Sequence, residues 1–257
     1  IAKMEEEKQD FTYDIIPAIY PLQLYYNENF ERLMLINFLP YYCNSYEEMK
    51  NLFLTTNRFT QDDIRYFIHP FIKILDNESR FFFEYWDRLH RKYEPSRRSI
   101  EKHFQKNLEK YRHIFEYYNK PCKILFSYTI TRNGRGFYDD SYFSALIRFP
   151  KNETFFDFSF IQLFHEYTHS ITDSLLNKNI TMKDDSHNLS EYVVLLADYY
   201  LIKSIDPKFI PTYLKWVKNE ISEELDETKF LSIFNIDETL KAELVKLINS
   251  ILTSHSK

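Results

Sequence analysis

The sequence predicts an α+β protein, mostly helical, with one small antiparallel sheet just ahead of a functional helix. Three observations predict it. Apolar residues recur at helical spacing through most of the chain. Dense β-branched and aromatic runs are confined to 123–131 and 142–149, on either side of Asn133-Gly134, a hairpin-turn signal. Glycine is nearly absent, with only Gly134 and Gly136, so a fold of many tight turns is excluded, as are Gly-rich phosphate loops.

The elements follow in order. Residues 1–10 are charged and expected to fray. Leu22, Leu24, Tyr25, Phe30, Leu33, Met34 and Phe38 outline a helix that Pro40 ends. Ser45 with Glu48 predicts a capping box for a helix over 46–56. A third helical pattern opens at Thr60, is interrupted at His69-Pro70, and resumes through Leu89; Pro95-Ser96 marks a break before a helix over 97–118. Composition changes at Pro121, so a helical region 1–120 and a second region 121–257 are expected, as two domains or packed as one. Beyond the strands, helices are expected over 157–177, 189–204, 208–224 and 237–253, with a polar loop from Asn177 to His187.

Several classes drop out on composition. The net charge of -5 argues against a nucleic-acid footprint. No apolar run reaches the length of a membrane span. Cys43 and Cys122 are too few for a cysteine zinc site, and two buried thiols are expected rather than a disulfide, because a chain of this size needs no staple.

The chemistry concentrates in Phe164-His165-Glu166-Tyr167-Thr168-His169. On a helix, His165 and His169 are four apart and share a face. Two neutral imidazoles so placed can bind Zn²⁺, with Glu166 positioned to take a proton from a water. Phe160, Ile161, Leu163, Ile171 and Leu175 make the helix strongly apolar, and burying two His and a Glu there without partners would cost several kcal/mol, roughly. A third ligand must come from elsewhere. Glu191 leads, at the start of the next apolar helix; Asp198, on the same face seven residues on, could support His165 or replace Glu191; His187 is a further candidate. Tyr138, Tyr142, Tyr192, His187 and Arg148 are candidates to stabilise an oxyanion.

His165-Glu166-Tyr167-Thr168-His169-Ser170-Ile171-Thr172-Asp173 resembles the zinc helix of thermolysin-like peptidases, His-Glu-Leu-Thr-His-Ala-Val-Thr-Asp. The likeness covers about residues 160–200. It implies a zincin-like catalytic region over 121–257, of the gluzincin type: zinc held by His165, His169 and Glu191, Glu166 as general base, and Asp173 in the place of the aspartate that ends the motif. Around the third ligand the family reads Asn-Glu-Ala-x-x-Asp, whereas this chain has Ser190-Glu191-Tyr192-Val193-Val194-Leu195, which leaves Asp198 as the candidate to orient a histidine. The family's downstream catalytic His has no counterpart but His255, in the tail. The implied activity is a zinc-dependent peptidase acting on a peptide or protein substrate laid along the strand 142–149. A degenerate zincin that binds a peptide or protein partner without cleaving it is the alternative. Such peptidases are often exported, and the chain begins at Ile1 rather than Met. An extracytoplasmic location (periplasmic, secreted or lipid-anchored) is therefore expected.

Overall fold

A computed structural model describes residues 15–37, 39–117, 120–128, 134–138, 142–179, 186–221 and 224–254. The charged N-terminal stretch, Asn133 of the expected turn, residues 180–185 of the polar loop and the tail with His255 lie outside these residues. The architecture is α+β and mostly helical, with one three-stranded sheet among the described residues. No described helix is long and apolar enough to cross a membrane.

The chain divides into two compact units, Ile1–His90 and Arg91–Lys257. The composition change at Pro121 therefore falls inside the second unit. The reason is packing: Ile100, Phe104, Tyr111 and Ile114 share one apolar core with the strand residues Phe143, Ala145 and Ile147 and with Phe160 and Phe164.

In the first unit, the helix Ile15–Glu28 gives way to tighter turns at Met34–Asn37 and Leu39–Tyr42, with Pro40 inside the second rather than ending a long helix. Ser45 accepts from the Glu48 amide and begins the helix Tyr46–Thr55; Glu48 reaches back to Asn44 rather than to Ser45. Thr60 and Asp63 form a full capping box. The chain then passes through a widened π turn, Ile64–Ile68, into His69–Asn77. Pro70 lies in the first turn after that widening, where its missing N–H costs least, so the expected interruption becomes a local adjustment. The core is built on Leu33, Phe53, Phe67 and Ile68.

Pro95 also fails to break its helix, which runs unbroken from Ser79 to Lys110. Charged helix formers flank it, and Arg97 pairs with Glu94 and Glu101 at helical spacing.

In the second unit, β1 (Cys122–Ser127), β2 (Arg135–Tyr138) and β3 (Phe143–Arg148) form a mixed sheet in the order β1-β3-β2. The two expected strands thus pair in parallel, not as a hairpin, with Ile124 opposite Ala145. The antiparallel partner of β3 is β2, which pairs Gly136 with Ala145. Being central, β3 has no free edge, so an extended substrate cannot add to it; β2 is the edge strand on that side. The helices Phe156–Asn179 (the motif helix), Ser186–Ile205 (the return helix), Ile210–Ile221, Glu227–Ile233 and Glu238–Thr253 complete the unit. Both cysteines are free; Cys122 is exposed and Cys43 half-buried, so neither is the fully buried thiol expected.

Candidate metal centre

The motif helix is set in place by β3. Gln162 Oε1 accepts from the Arg148 amide at 2.7 Å, and Ser159 Oγ donates to the Arg148 carbonyl at 3.0 Å. These two contacts fix the helix's rotation against the strand. Phe160, Ile161, Leu163, Phe164 and Tyr167 are then all buried, as in a helix enclosed on nearly every side. Thr168 and Thr172 return their hydroxyls to carbonyls one turn back, which lets a buried helix carry them.

His165 and His169 come out on one face, with ring centroids 4.9 Å apart. The return helix brings Glu191 to both: its carboxylate lies 3.3 Å from His165 Nε2 and 3.5 Å from His169 Nε2. His165, His169 and Glu191 form a group that can hold a metal ion, with one donor atom from each within 4.8 Å of the others. The spacing fits the chemistry. Tetrahedral bonds of about 2.1 Å put ligand atoms about 3.4 Å apart.

Asp198 completes this arrangement from behind. Its Oδ2 lies 2.8 Å from His165 Nδ1, and it is fully buried. A carboxylate on the far nitrogen orients the ring and leaves Nε2 as the free donor. The second oxygen of Asp198, Oδ1, has no hydrogen-bond partner. The Thr168 hydroxyl lies beside Asp198 but spends its hydrogen on the Phe164 carbonyl. The Trp216 ring stands 5.4 Å from His165.

The electrostatics is that of too many acids for the cations present. Burial works against a charged His165, yet hydrogen bonds to Asp198 and Glu191 outweigh it and raise the ring's pKa well above the ordinary histidine range. Burial raises the Asp198 carboxyl, against the pull of His165. Burial also raises Glu166, and Glu191 adds to this; His165, Arg135 and the Gly136 N–H oppose it.

Glu166 lies under β2. A Cβ added at Gly134 would come 2.8 Å from Glu166 Oε1, and one at Gly136 would come 3.0 Å from the Glu166 carbonyl. The other candidates are distributed differently. Tyr138 donates its hydroxyl to Asp173, so that pair ties β2 to the motif helix. Tyr142 is half-buried just ahead of β3, and Tyr192 packs edge-on against Phe234 in the core. Arg148 lies over the Phe155 ring. The side chain of His187 is outside the described residues.

Sequence reasoning missed β2 and Arg135 within it. The signal was present: the chain's only glycines stand two apart, and glycine within a strand marks close backbone approach. The chain matches no protein-family model, no curated protein and no solved structure.

Proposed function

We propose that the chain is a zinc-dependent metallopeptidase. One observation carries the reading: two imidazole nitrogens and a carboxylate oxygen lie within 4.8 Å of one another, with Glu166 next to them in sequence and a carboxylate oriented on the far side of one imidazole. Nitrogen and oxygen donors in this number and geometry suit zinc. The resemblance to the thermolysin-like zinc helix supports the same conclusion.

His165, His169 and Glu191 would hold the ion. When bound, it supplies Lewis acidity, which acidifies a water and polarises the scissile carbonyl. The chain's own groups do the rest. Glu166 accepts the proton of the attacking water and delivers it to the departing amine. Its carboxylate is enclosed by β2 and aimed by the Gly136 N–H. Asp198 keeps His165 in one tautomer. The substrate is a peptide lying along the edge strand β2, where main-chain pairing can supply affinity.

Metal content of the purified chain, against Glu191→Ala, is the first test. About one zinc per chain, lost in the variant, supports the site; no zinc after incubation with excess metal overturns it. Peptide-library hydrolysis follows. Wild type should cleave, and Glu166→Gln should lose at least about 10³-fold in kcat, since both the proton acceptor and the donor are removed. A zinc protein that cleaves nothing is a peptide- or protein-binding zincin instead.

A further inference from the structure

Gly134 and Gly136 are the chain's only glycines, and both face Glu166. Cβ atoms there would meet Glu166 Oε1 at 2.8 Å, Gln162 Cγ at 2.9 Å and the Glu166 carbonyl at 3.0 Å. The strand therefore touches the motif helix as closely as bare backbone allows. Side chains alternate along a strand, so this contact turns Arg135 away from the helix and leaves it exposed. Its guanidinium folds back and Nη1 donates to the Gly134 carbonyl at 2.6 Å. That carbonyl belongs to the residue lying on Glu166, so the cation stands at the edge of the candidate centre, and its field reaches the Glu166 carboxyl.

Arg135 forms no ion pair among the described residues. Nor do the nearby acids need it once a metal is present. A divalent ion balances Glu191 and Asp198, and Glu166 is held by the Gly136 N–H without a bond from Arg135. A guanidinium with no acid paired to it among the described residues, on the strand that covers Glu166, is matched to one ligand chemistry above others. Its planar fork meets a carboxylate with two parallel hydrogen bonds, where a neutral carbonyl would use one.

We propose that Arg135 forms an anion subsite beside the metal centre that takes a carboxylate of the bound peptide, either its C-terminus or an acidic side chain. The proposal rests on the metal-centre reading above and adds a substrate class to it.

The test uses binding rather than turnover. The zinc-loaded full chain is titrated calorimetrically with monohydroxamates of straight-chain dicarboxylic acids of increasing length, and with the matching monoamides. The hydroxamate engages the metal and the far end probes the subsite. At the best length, the acid should bind wild type at least about 10-fold tighter than its amide, since charge-assisted pairs exceed neutral ones. Arg135→Gln should abolish that preference and leave amide affinity unchanged; Arg135→Lys should retain part of it. Equal affinities for acid and amide at every length would overturn the proposal. So would Arg135→Gln weakening both alike, or no hydroxamate binding at all. If the acid preference depends on Arg135 but no peptide is cleaved, the subsite stands and the peptidase reading fails. Peptide hydroxamates with free or amidated termini, with and without an aspartate, then separate the two sources of the carboxylate.

Discussion

Each unit buries an aspartate completely, and the two are treated in opposite ways. In the first unit, Asp63 is saturated. Arg32 binds both oxygens at 2.6 and 2.8 Å, the Thr60 amide and hydroxyl each donate at 2.8 Å, and Tyr25 adds a fifth contact at 3.2 Å. In the second unit, Asp198 has His165 on one oxygen, with the Thr168 hydroxyl beside it, and its other oxygen has no hydrogen-bond partner. His165 faces a further acid, Glu191. The consequences diverge accordingly. Burial works against the Asp63 anion, but the Arg32 and Thr60 bonds outweigh it and hold its pKa down to about 2. Burial prevails at Asp198 and raises it. A buried carboxylate that serves the fold arrives with its own cation and donors; Asp198, behind two candidate metal ligands, does not.

The largest effect expected from this contrast is at Asp63. Asp63→Ala should destabilise the first unit by about 3 kcal/mol, because it strands several buried donors together. Amide hydrogen exchange across 61–77 should show the loss locally. The same carboxylate sets an acid limit. Its pKa is lower in the folded chain than the ordinary 3.8, so its stabilisation is fully present above about 4 and disappears as pH falls toward 2. A drop of that size is worth about 2 kcal/mol, and in Asp63→Asn this part of the acid dependence should be absent.

At Asp198 the expected loss is of affinity rather than fold. Asp198→Asn should weaken zinc binding about 10- to 100-fold, the usual cost of losing a carboxylate behind a ligand histidine. In the metal-free chain it should cost little stability, since it removes one of the surplus acids. Trp216, close to His165, offers the readout. With the other tryptophan replaced, in Trp86→Phe, emission should respond to cobalt titration, and the midpoint should move by that factor in the Asp198 variant. A stability loss as large as that of Asp63→Ala would erase the distinction between the two carboxylates.

One side of this contrast, the candidate centre, was legible in the sequence, for local reasons. His165, Glu166 and His169 declare themselves because a helix converts spacing into a shared face. Asp198 was reachable by the same arithmetic, seven residues after Glu191. The strand order was not. β-rich composition marks 123–131 and 142–149 as strands, but parallel pairing depends on where β2 inserts, and a four-residue strand beginning Arg135-Gly136 violates the composition rule that identifies strands. Pro70 and Pro95 misled for a related reason: local proline rules predict breaks, while a widened turn at one and flanking ion pairs at the other carry the helix through. Arg135 shows no pattern at all until the glycines on either side are placed against Glu166.

The smallest effect makes the sharpest test of the contrast, because it compares two threonines beside the two aspartates. Thr60 gives Asp63 both its amide and its hydroxyl and accepts from the Asp63 amide in return, so the helix start and the buried anion are one network. Thr60→Ala should therefore cost about 1 kcal/mol through the lost cap, and Asp63 should titrate at higher pH because a donor to its charged form is gone. Thr168 stands beside Asp198, but its one hydroxyl hydrogen is given to the Phe164 carbonyl, so it holds Asp198 less fully than Thr60 holds Asp63. Thr168→Val keeps the shape and removes only a second bond to a carbonyl within the helix, so stability should change by less than about 0.5 kcal/mol. Zinc affinity should stay at the wild-type value. If Thr168→Val instead weakened zinc binding as Asp198→Asn does, Asp198 would be a satisfied network like Asp63, and its unpaired oxygen would no longer mark a site built to receive a cation.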